Sequence, residues 1–197
     1  MNSNYTRQIF MDSLKRLAQK RRLTKITVSD IVDDCKLNRG TFYYHFRDKD
    51  DLINAIFQSD ILDYFQEAKE KDWTHNTYHF LTVMRKDCSF YSQALEIDSY
   101  YNLRKLLYDM NFSAALSIID HALEGRKLSA RASNFIADFY ASAFTGTNIH
   151  YIKSGAKQSP EKMLQYYYDL SEPCIFISLE QFIAHDRSKG MLPISKN

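Results

Sequence analysis

Apolar residues recur in this chain at intervals of three and four, the spacing of one face of an α-helix. The first short example consists of Val28, Ile31, Val32 and Cys35. Thr27 precedes this face and Asp30 stands three residues later, which is the pattern of a capping box at a helix start. We therefore predict a short helix that begins just after Thr27.

A second short helix is predicted directly after a break in this pattern. The break covers 36–38 and ends at Asn38, a residue type that favours the helix cap. The helix then covers 39–46, with Phe42 and Phe46 on one side and small or polar residues largely on the other. Two short helices joined in this way form a helix-turn-helix, whose second helix can enter the DNA major groove.

Longer helices are predicted on both sides of this motif. One covers about 4–22, and the other is capped by Asp48 and covers 51–71 without Gly or Pro, so we expect it to connect the motif rigidly to the rest of the chain. Further helices are predicted over 76–87, 90–96, 99–123, 129–153 and from 160, with a kink or break at Pro173 before a last helix over 174–185. The chain is therefore predicted to be all-α, with a three-helix head over 1–47 and a helical body over 48–197.

Composition supports a helical protein with a substantial core. Hydrophobic residues make up 45% of the chain, which has 14 Tyr and 13 Phe but only 5 Gly and 3 Pro, too few for a fold of many tight turns. No window of 18 apolar residues and no signal peptide is recognised, so we expect no membrane partner. Three widely spaced cysteines (Cys35, Cys88 and Cys174) fit reduced thiols in the cytoplasm better than disulfides.

Charge is distributed unevenly along the chain. Residues 1–50 carry 11 Lys+Arg and 6 Asp+Glu, a net charge of +5. Residues 51–197 carry 15 and 18, a net charge of −3. A basic head on a mildly acidic body is expected of a regulator that binds DNA with its N-terminal part.

The helix-turn-helix and the residues after it resemble the signature of the tetracycline-repressor (TetR) family. The resemblance rests on ITVSDIVDDCKLNRG followed by TFYYHFRDKDDL, with its Thr, aromatic–Tyr pair, further aromatic residue, His and Lys. It implies an operator of double-stranded DNA whose groove is contacted by Asn38, Arg39, Gly40, Thr41 and Tyr43. It also implies that phosphates are contacted by Thr27, Val28, Tyr44, His45 and Lys49. Arg39 before Gly40 departs from many relatives, and an arginine that reaches a base edge favours guanine.

The body resembles a subgroup of the family often named after regulators of dihydroxyacetone-kinase operons. The resemblance rests on CSFYSQAL and on NFIADFYASAFTGTNIHYIKSGAKQSPEKM. It implies a homodimer whose two C-terminal helices pair with their copies. The residues implicated in that interface are Phe135, Phe139, Ala143, Ile149, Ile152, Ile175, Leu179 and Phe182. The alternative is that these residues fill the core of a single chain.

Family bodies also enclose a pocket for a small molecule between their middle helices. The candidates here are Tyr64, Phe80, Met84, Phe90, Tyr91, Tyr100, Tyr101, Tyr108, Phe112 and Phe144. So many tyrosines favour a ligand with both apolar area and hydrogen-bonding groups. The alternative is again a core role, since aromatic residues at helical spacing commonly pack inside a protein.

The family's mechanism predicts a dimeric repressor that a small-molecule effector releases from a palindromic operator. One rival hypothesis is a co-activator whose body binds a partner protein instead of a metabolite. The other is an enzyme or metal-dependent body, for which His75, His79 and Cys88 are the only suggestive residues. Since the pair lacks the Glu of a metalloprotease helix and no catalytic motif is present, we expect no enzyme, no metal and no cofactor.

Overall fold

The computed structural model describes residues 3–62, 73–97 and 103–188, and within these ranges the regular structure is helical, which confirms the all-α prediction. The helices are α1 (Ser3–Ala18), α2 (Val28–Cys35), α3 (Arg39–His45), α4 (Lys49–Phe57), α5 (Trp73–Lys86), α6 (Cys88–Ala94), α7 (Leu103–Leu123), α8 (Ala130–Lys153) and α9 (Pro160–Ser188). A 3₁₀ turn, Leu23–Lys25, precedes α2, and a π-helical turn, Gln58–Leu62, follows α4.

The first three helices pack around an aromatic cluster. Phe10 of α1, Phe42 of α3 and Phe46 just beyond α3 are buried. The ring centroid of Phe10 lies 5.3 Å from that of Phe42 and 6.1 Å from that of Phe46, in edge-to-face geometry. Such pairs add about 0.5–1.5 kcal/mol beyond the burial of their area. The cluster therefore holds the predicted inner side of α3 against α1.

The predicted caps of α2 and α4 are confirmed. Thr27 caps α2 with a complete capping box, because Thr27 N donates to Asp30 Oδ2 at 2.7 Å and Asp30 N donates to Thr27 Oγ1 at 3.3 Å. Asp48 caps α4 by accepting from Asp51 N at 2.8 Å. The end of α2 is less usual, since Lys36 adopts left-handed angles (φ 57°, ψ 36°) that favour glycine or asparagine.

Helix α1 is shorter than predicted, ending at Ala18 instead of near residue 22. A residue far along the chain accounts for the difference. Gln93 of α6 donates from Nε2 to Ala18 O at 2.7 Å and accepts a hydrogen bond from Leu23 N on Oε1. Because both bonds go to the backbone around the turn, they satisfy polar groups that a longer helix would have paired internally.

The predicted connection between head and body is confirmed only in its first part. α4 passes at Phe57 into the π-helical turn, which extends the helical path to Leu62. The rest of the predicted helix, 63–71, lies outside the described residues, as does the predicted start of the helix at 99. The prediction of a continuous connection to residue 71 therefore remains a prediction.

The later helices share a core of their own. It is formed by Ala115, Ile119, Ala122, Ile136, Ala137, Tyr140, Ile175 and Leu179. Gly125 (φ 80°) follows α7 and Gly155 (φ 87°) follows α8, as predicted. α9 continues through Pro173, so the predicted break is wrong, while the predicted kink remains a prediction. An interior proline costs about 3 kcal/mol in a helix, and Ile175 and Leu179 beyond it are buried in this core.

The chain divides into two compact units, and neither ends where the predicted head does. One comprises Met1–Leu106 with Asn148–Leu164, and the other comprises Leu107–Thr147 with Gln165–Asn197. The first unit contains the head together with α4, α5 and α6. The predicted boundary between head and body after residue 47 does not coincide with the boundary between the compact units. It therefore remains a prediction about function.

Candidate nucleic-acid interface

Helix α3 presents two tyrosines to solvent. Tyr43 is 56% exposed and Tyr44 is 79% exposed, whereas Phe42 on the opposite side is fully buried. The Tyr43 ring lies edge-to-face on Phe42, with centroids 5.5 Å apart. Because Phe42 is held in the aromatic cluster, it restricts where Tyr43 can point. The exposed side of α3 therefore presents the hydroxyl groups of both tyrosines.

The start of α3 is organised by Asn38. Its Oδ1 accepts hydrogen bonds from Thr41 N at 2.8 Å and Thr41 Oγ1 at 3.1 Å. A Cβ added at Gly40 would lie 3.2 Å from the same oxygen, closer than such contacts normally are. Gly40 thus leaves room for the cap. With its oxygen engaged, Asn38 has only the amide NH₂ left to donate outwards.

The guanidinium of Arg39 reaches back across the turn, where Nη2 contacts Ser29 Oγ in the first turn of α2. Both side chains carry hydrogen-bonding groups beside the exposed cap residue Thr27. Ser29 was not among the sequence candidates. Its position two residues after the cap of α2 was the available signal, since residues there lie at an exposed helix N-terminus.

Thr27 is engaged within the head. Its hydroxyl donates to Asp30 Oδ2 at 2.7 Å, and Arg21 Nη2 lies 2.9 Å from Asp30 Oδ1. The backbone amide and hydroxyl of Thr27, with Arg21, hold the pKa of Asp30 at about 2. The half-buried Val28 follows at the first position of α2. The capping box therefore fixes the helix end that the resemblance assigns to a phosphate.

Lys49 has two partners inside the head. Its Nζ donates to Leu23 O and to Ile26 O, each at 3.0 Å. Burial lowers the pKa of this ammonium group. An ammonium carries three N–H donors, so one remains for a phosphate. Lys49 consequently joins the start of α4 to the segment before α2, a role that the sequence did not reveal.

The end of α3 is held by Arg7 of α1. Arg7 Nη1 donates to His45 O at 3.0 Å, and its guanidinium carbon lies 4.6 Å from the centre of the Phe46 ring. The half-buried His45 ring lies edge-on to Tyr44, with centroids 4.9 Å apart. Arg7 therefore connects α1 directly to the end of α3.

The predicted pocket residues are divided between the two units. Phe80, Met84, Phe90 and Tyr91 are buried in the core of the first unit. Tyr108, Phe112 and Phe144 belong to the second unit and are half-buried. The remaining candidates, Tyr64, Tyr100 and Tyr101, lie outside the described residues. The prediction of a single pocket lined by this set therefore remains a prediction.

An open groove of about 560 Å³ lies in the second unit. Its lining consists of Tyr108, Phe112, Ser129, Arg131, Ala132, Asn134, Phe135, Asp138 and Phe182. Tyr108 stacks on Phe112 and donates to Asp138 Oδ1 at 2.5 Å. That hydrogen bond raises the pKa of Tyr108. The groove thus combines residues predicted for the pocket with Phe135 and Phe182, which were predicted for the dimer interface.

The predicted interface residues divide into exposed and buried groups. Phe135 and Phe139 are 61% and 63% exposed, unusual for phenylalanine. Ala143 is exposed, while Ile149 and Phe182 are half-buried. Ile152, Ile175 and Leu179 lie in the interior of the protomer, so they cannot supply exposed area to a second chain. Sequence reasoning missed three exposed apolar residues of α9, Leu170, Phe176 and Ile177.

Among the described residues, no group of three or more His, Cys, Asp or Glu side chains is arranged to hold a metal ion. In the same part of the chain, no helix is both long enough and apolar enough to span a membrane.

Comparison with known proteins matches both parts of the chain to families of regulators. Residues 11–56 match the family described as bacterial regulatory proteins, tetR family. Residues 71–173 match a family described as transcriptional regulator C-terminal region.

Two individual proteins are similar to this chain. The HTH-type dhaKLM operon transcriptional activator DhaS of Lactococcus lactis subsp. lactis (strain IL1403) is 27% identical over 97 residues, or 49% of this chain. The match spans 52% of that relative, about half its length. The solved structure of Dihydroxyacetone kinase operon activator DhaS has a TM-score of 0.71 at 23% identity, covering 90% of this chain and 96% of that one. At that identity the likeness shows a shared fold.

Proposed function

This chain belongs to the TetR family of bacterial transcriptional regulators, and we propose that it is a dimeric repressor that a small-molecule effector releases from a palindromic operator. DNA binding follows from the family. Two copies of α3 would enter successive major grooves, whose centres are about 34–36 Å apart. Because both copies of α3 must match this groove spacing, a small change in the separation of the two heads is enough to release the operator. A regulator that acts in this way works in the cytoplasm.

The observation that carries the DNA-binding proposal is the contrast between the two sides of α3. Phe42 is buried while Tyr43 and Tyr44 are exposed, although all three are large aromatic residues. Tyrosine combines apolar area with a hydrogen-bonding hydroxyl group, which makes exposed tyrosines well suited to a contact with another molecule. Their hydroxyls suit phosphate oxygens and base edges. α3 is therefore the helix proposed to enter the groove.

The test is selection of duplex DNA from a random library, followed by binding measurements on the selected duplex. Tyr43→Ala is expected to weaken binding by about fivefold or more, since the loss of a good contact costs about 1–3 kcal/mol. Tyr78→Ala is the matched control, because Tyr78 is also exposed but lies on α5. Equal affinity of the Tyr43→Ala and Tyr78→Ala proteins would contradict the assignment of α3.

The role proposed for each residue follows from the hydrogen-bonding groups that remain available on it. Asn38 offers its amide NH₂ to a base edge, and Arg39 reaches either a base or, from its position beside Ser29, a phosphate. Gly40 has no side chain, so the backbone of α3 can approach the DNA groove closely there. Thr41 lies at the next position of the helix. For the phosphates we propose Tyr44, His45, the third donor of Lys49, and the start of α2 at Thr27 and Val28.

The proposed dimer uses the exposed apolar side of the second unit. Phe135 and Phe139 lie one helical turn apart on α8, and the Phe135 ring lies 6.1 Å from that of Phe182 on α9. Ala143 continues the same side of α8. Leu170 and Ile177 of α9 add exposed apolar area. Burial of such a surface against a second copy is the expected use of this face.

The proposed effector site is the open groove of the second unit. Four aromatic side chains provide apolar walls, and Arg131, Asn134, Asp138 and Ser129 provide polar groups. This lining suits a ligand with apolar area and hydrogen-bonding groups.

An activator is the second candidate function, and the described role of the relative favours it. DhaS is described as a transcriptional activator, and exposed apolar residues on α9 would suit a partner protein as well as a second copy. A reporter gene placed behind the selected operator distinguishes the two. Deletion of the regulator raises expression if it is a repressor and lowers expression if it is an activator.

A further inference from the structure

A cluster of charged side chains lies buried in the first unit, away from the DNA-binding face. Lys15 of α1 contacts Asp60 Oδ2 in the π-helical turn, and its Nζ lies 3.0 Å from Asp87 Oδ2, just before α6. Tyr91 of α6 donates its hydroxyl to Asp60 Oδ2 at 2.6 Å. The side chains of Lys15, Asp60 and Asp87 are only 11%, 17% and 9% exposed. Three separate segments therefore meet at one ammonium group.

The cluster depends on all of its members. Burial alone would lower the pKa of Lys15, but Asp60 and Asp87 outweigh it and raise the pKa, so the group stays charged. Burial, with Asp60 beside it, raises the pKa of Tyr91 well above its usual value, so the hydroxyl remains a donor. Removing one partner from such a group leaves an uncompensated buried charge, which is strongly unfavourable.

Asp87 does not make the hydrogen bonds that are usual for aspartate at its position. It occupies the cap position of α6, where aspartate normally accepts hydrogen bonds from the first backbone amides, yet it makes no side-chain capping bond. Its carboxylate faces Lys15 instead. Asp87 thus has two possible partners, Lys15 or the amide of Ser89 in the first turn of its own helix, since Phe90 N already donates to Asp87 O at 3.0 Å. Asp60 also occupies an unusual position, because it lies in the π-helical turn. Such distortions are often found at functional sites.

We propose that Lys15, Asp60, Asp87 and Tyr91 are positioning residues for DNA binding, with Asp87 as the member that changes partner. When Asp87 pairs with Lys15, α1 is held against α6 and the π-helical turn. When Asp87 caps α6, Lys15 loses one of its two carboxylates and α1 is held less firmly.

The position of α1 determines the position of α3. Phe10 of α1 packs edge-to-face on Phe42, and Arg7 donates to the carbonyl oxygen of His45 at the end of α3. The two contacts lie on the same helix as Lys15. A shift of α1 at Lys15 therefore reaches the recognition helix through contacts that are already in place. This inference rests on the proposed DNA-binding function.

The experiment measures preference for half-site spacing. The wild-type protein first selects a duplex from a random library, and binding is then compared between that duplex and versions with the half-sites moved by one base pair. Asp87→Asn keeps a capping side chain but removes the charge that holds Lys15. Both Asp87→Asn and Lys15→Met are expected to weaken binding to the selected duplex by about fivefold or more, the lower range of typical coupling. Each should also reduce the preference for the selected spacing.

Matched variants separate positioning from stability and charge. Arg16→Met removes an ion pair with Asp34 from the adjacent position of α1, where Arg16 is half exposed, and the spacing preference should survive. The Lys15→Met, Asp87→Asn double variant should bind no more weakly than the weaker single variant, because residues that act together are non-additive. Circular dichroism should show unchanged helical content in every variant that is compared.

The possible results separate a failure of this inference from a failure of the proposed DNA-binding function. If the Lys15 and Asp87 variants melt at lower temperature but keep the wild-type spacing preference, the cluster is structural only and the proposal is overturned. If Lys15→Met does not fold, Tyr91→Phe decides, because it removes one hydroxyl and leaves every charge in place. An unchanged spacing preference in Tyr91→Phe would also overturn it. If the wild-type protein selects no duplex at all, the proposed DNA-binding function fails, and this inference fails with it.

Discussion

Replacing Lys49 with methionine should weaken both the fold and DNA binding. Methionine retains the apolar length of the side chain but removes the ammonium group that donates to Leu23 O and Ile26 O. Hydrogen bonds to charged groups contribute about 1.5–3 kcal/mol each. Because Lys49 is half exposed, solvent competes for the same groups, and we expect the two bonds together to be worth about 1–2 kcal/mol.

Urea unfolding measures the first effect. With a denaturant dependence of about 2–3 kcal/mol/M, a loss of 1–2 kcal/mol lowers the midpoint by about 0.3–1 M. All proteins must be compared at one concentration, since dissociation of a dimer contributes to its unfolding. Lys25→Met is the control, because it removes the same charge from an exposed position in the neighbouring turn.

Salt-dependent DNA binding measures the second effect. If the third donor of Lys49 reaches a phosphate, Lys49→Met should reduce the slope of log K against log salt by about 0.9. An unfolding midpoint equal to that of Lys25→Met would refute the stabilising role of the two carbonyl contacts. An unchanged salt slope would refute the phosphate contact alone, so the two roles are tested separately.

Three further predictions use other parts of the molecule. Replacing both Phe135 and Phe139 with Asp should yield a monomer by light scattering and leave helical content unchanged, because both side chains are exposed in the protomer; a persistent dimer would exclude this face. Lys36→Gly should raise the free energy of unfolding by about 0.5–1 kcal/mol, since glycine adopts the left-handed angles without strain, and a lower urea midpoint would contradict this. The pKa of Asp30 is depressed from 3.8 to about 2, so its stabilising effect is present above pH 3.8 and lost as the pH falls towards 2. Asp30→Asn should therefore reduce the acid sensitivity of unfolding in that window, and an unaltered acid transition would argue against the capping bonds as its cause.

Local signals in the sequence were sufficient for the head. Thr27 with Asp30, Asn38 and Asp48 each cap the helix that comes next, because capping depends on residues within one turn of each other. The inner side of α3 was predictable for the same reason, since Phe42 and Phe46 recur at helical spacing.

Contacts between distant residues were not predictable in this way. Gln93 ends α1 from more than seventy residues away, and Lys49 is drawn to the carbonyl groups of another segment. The body aromatics posed a related problem, because core, pocket and interface residues share one chemistry. Phe90 proved to be core, whereas Phe135, at similar spacing, is exposed. Only the three-dimensional arrangement distinguishes them.

The π-helical turn at Gln58–Leu62 gives the chain an unusual response to changes in length. Such a turn contains an extra residue compared with the α-helix around it. Deleting one residue there would restore regular α-helical geometry and leave the segments on its two sides in nearly the same relative orientation, because the wider turn holds the extra residue without rotating its flanks. Within a regular α-helix, the loss of one residue rotates everything after it by about 100°, since an α-helix has 3.6 residues per turn. The π-helical turn is therefore a place where the chain can lose one residue and keep its faces in register.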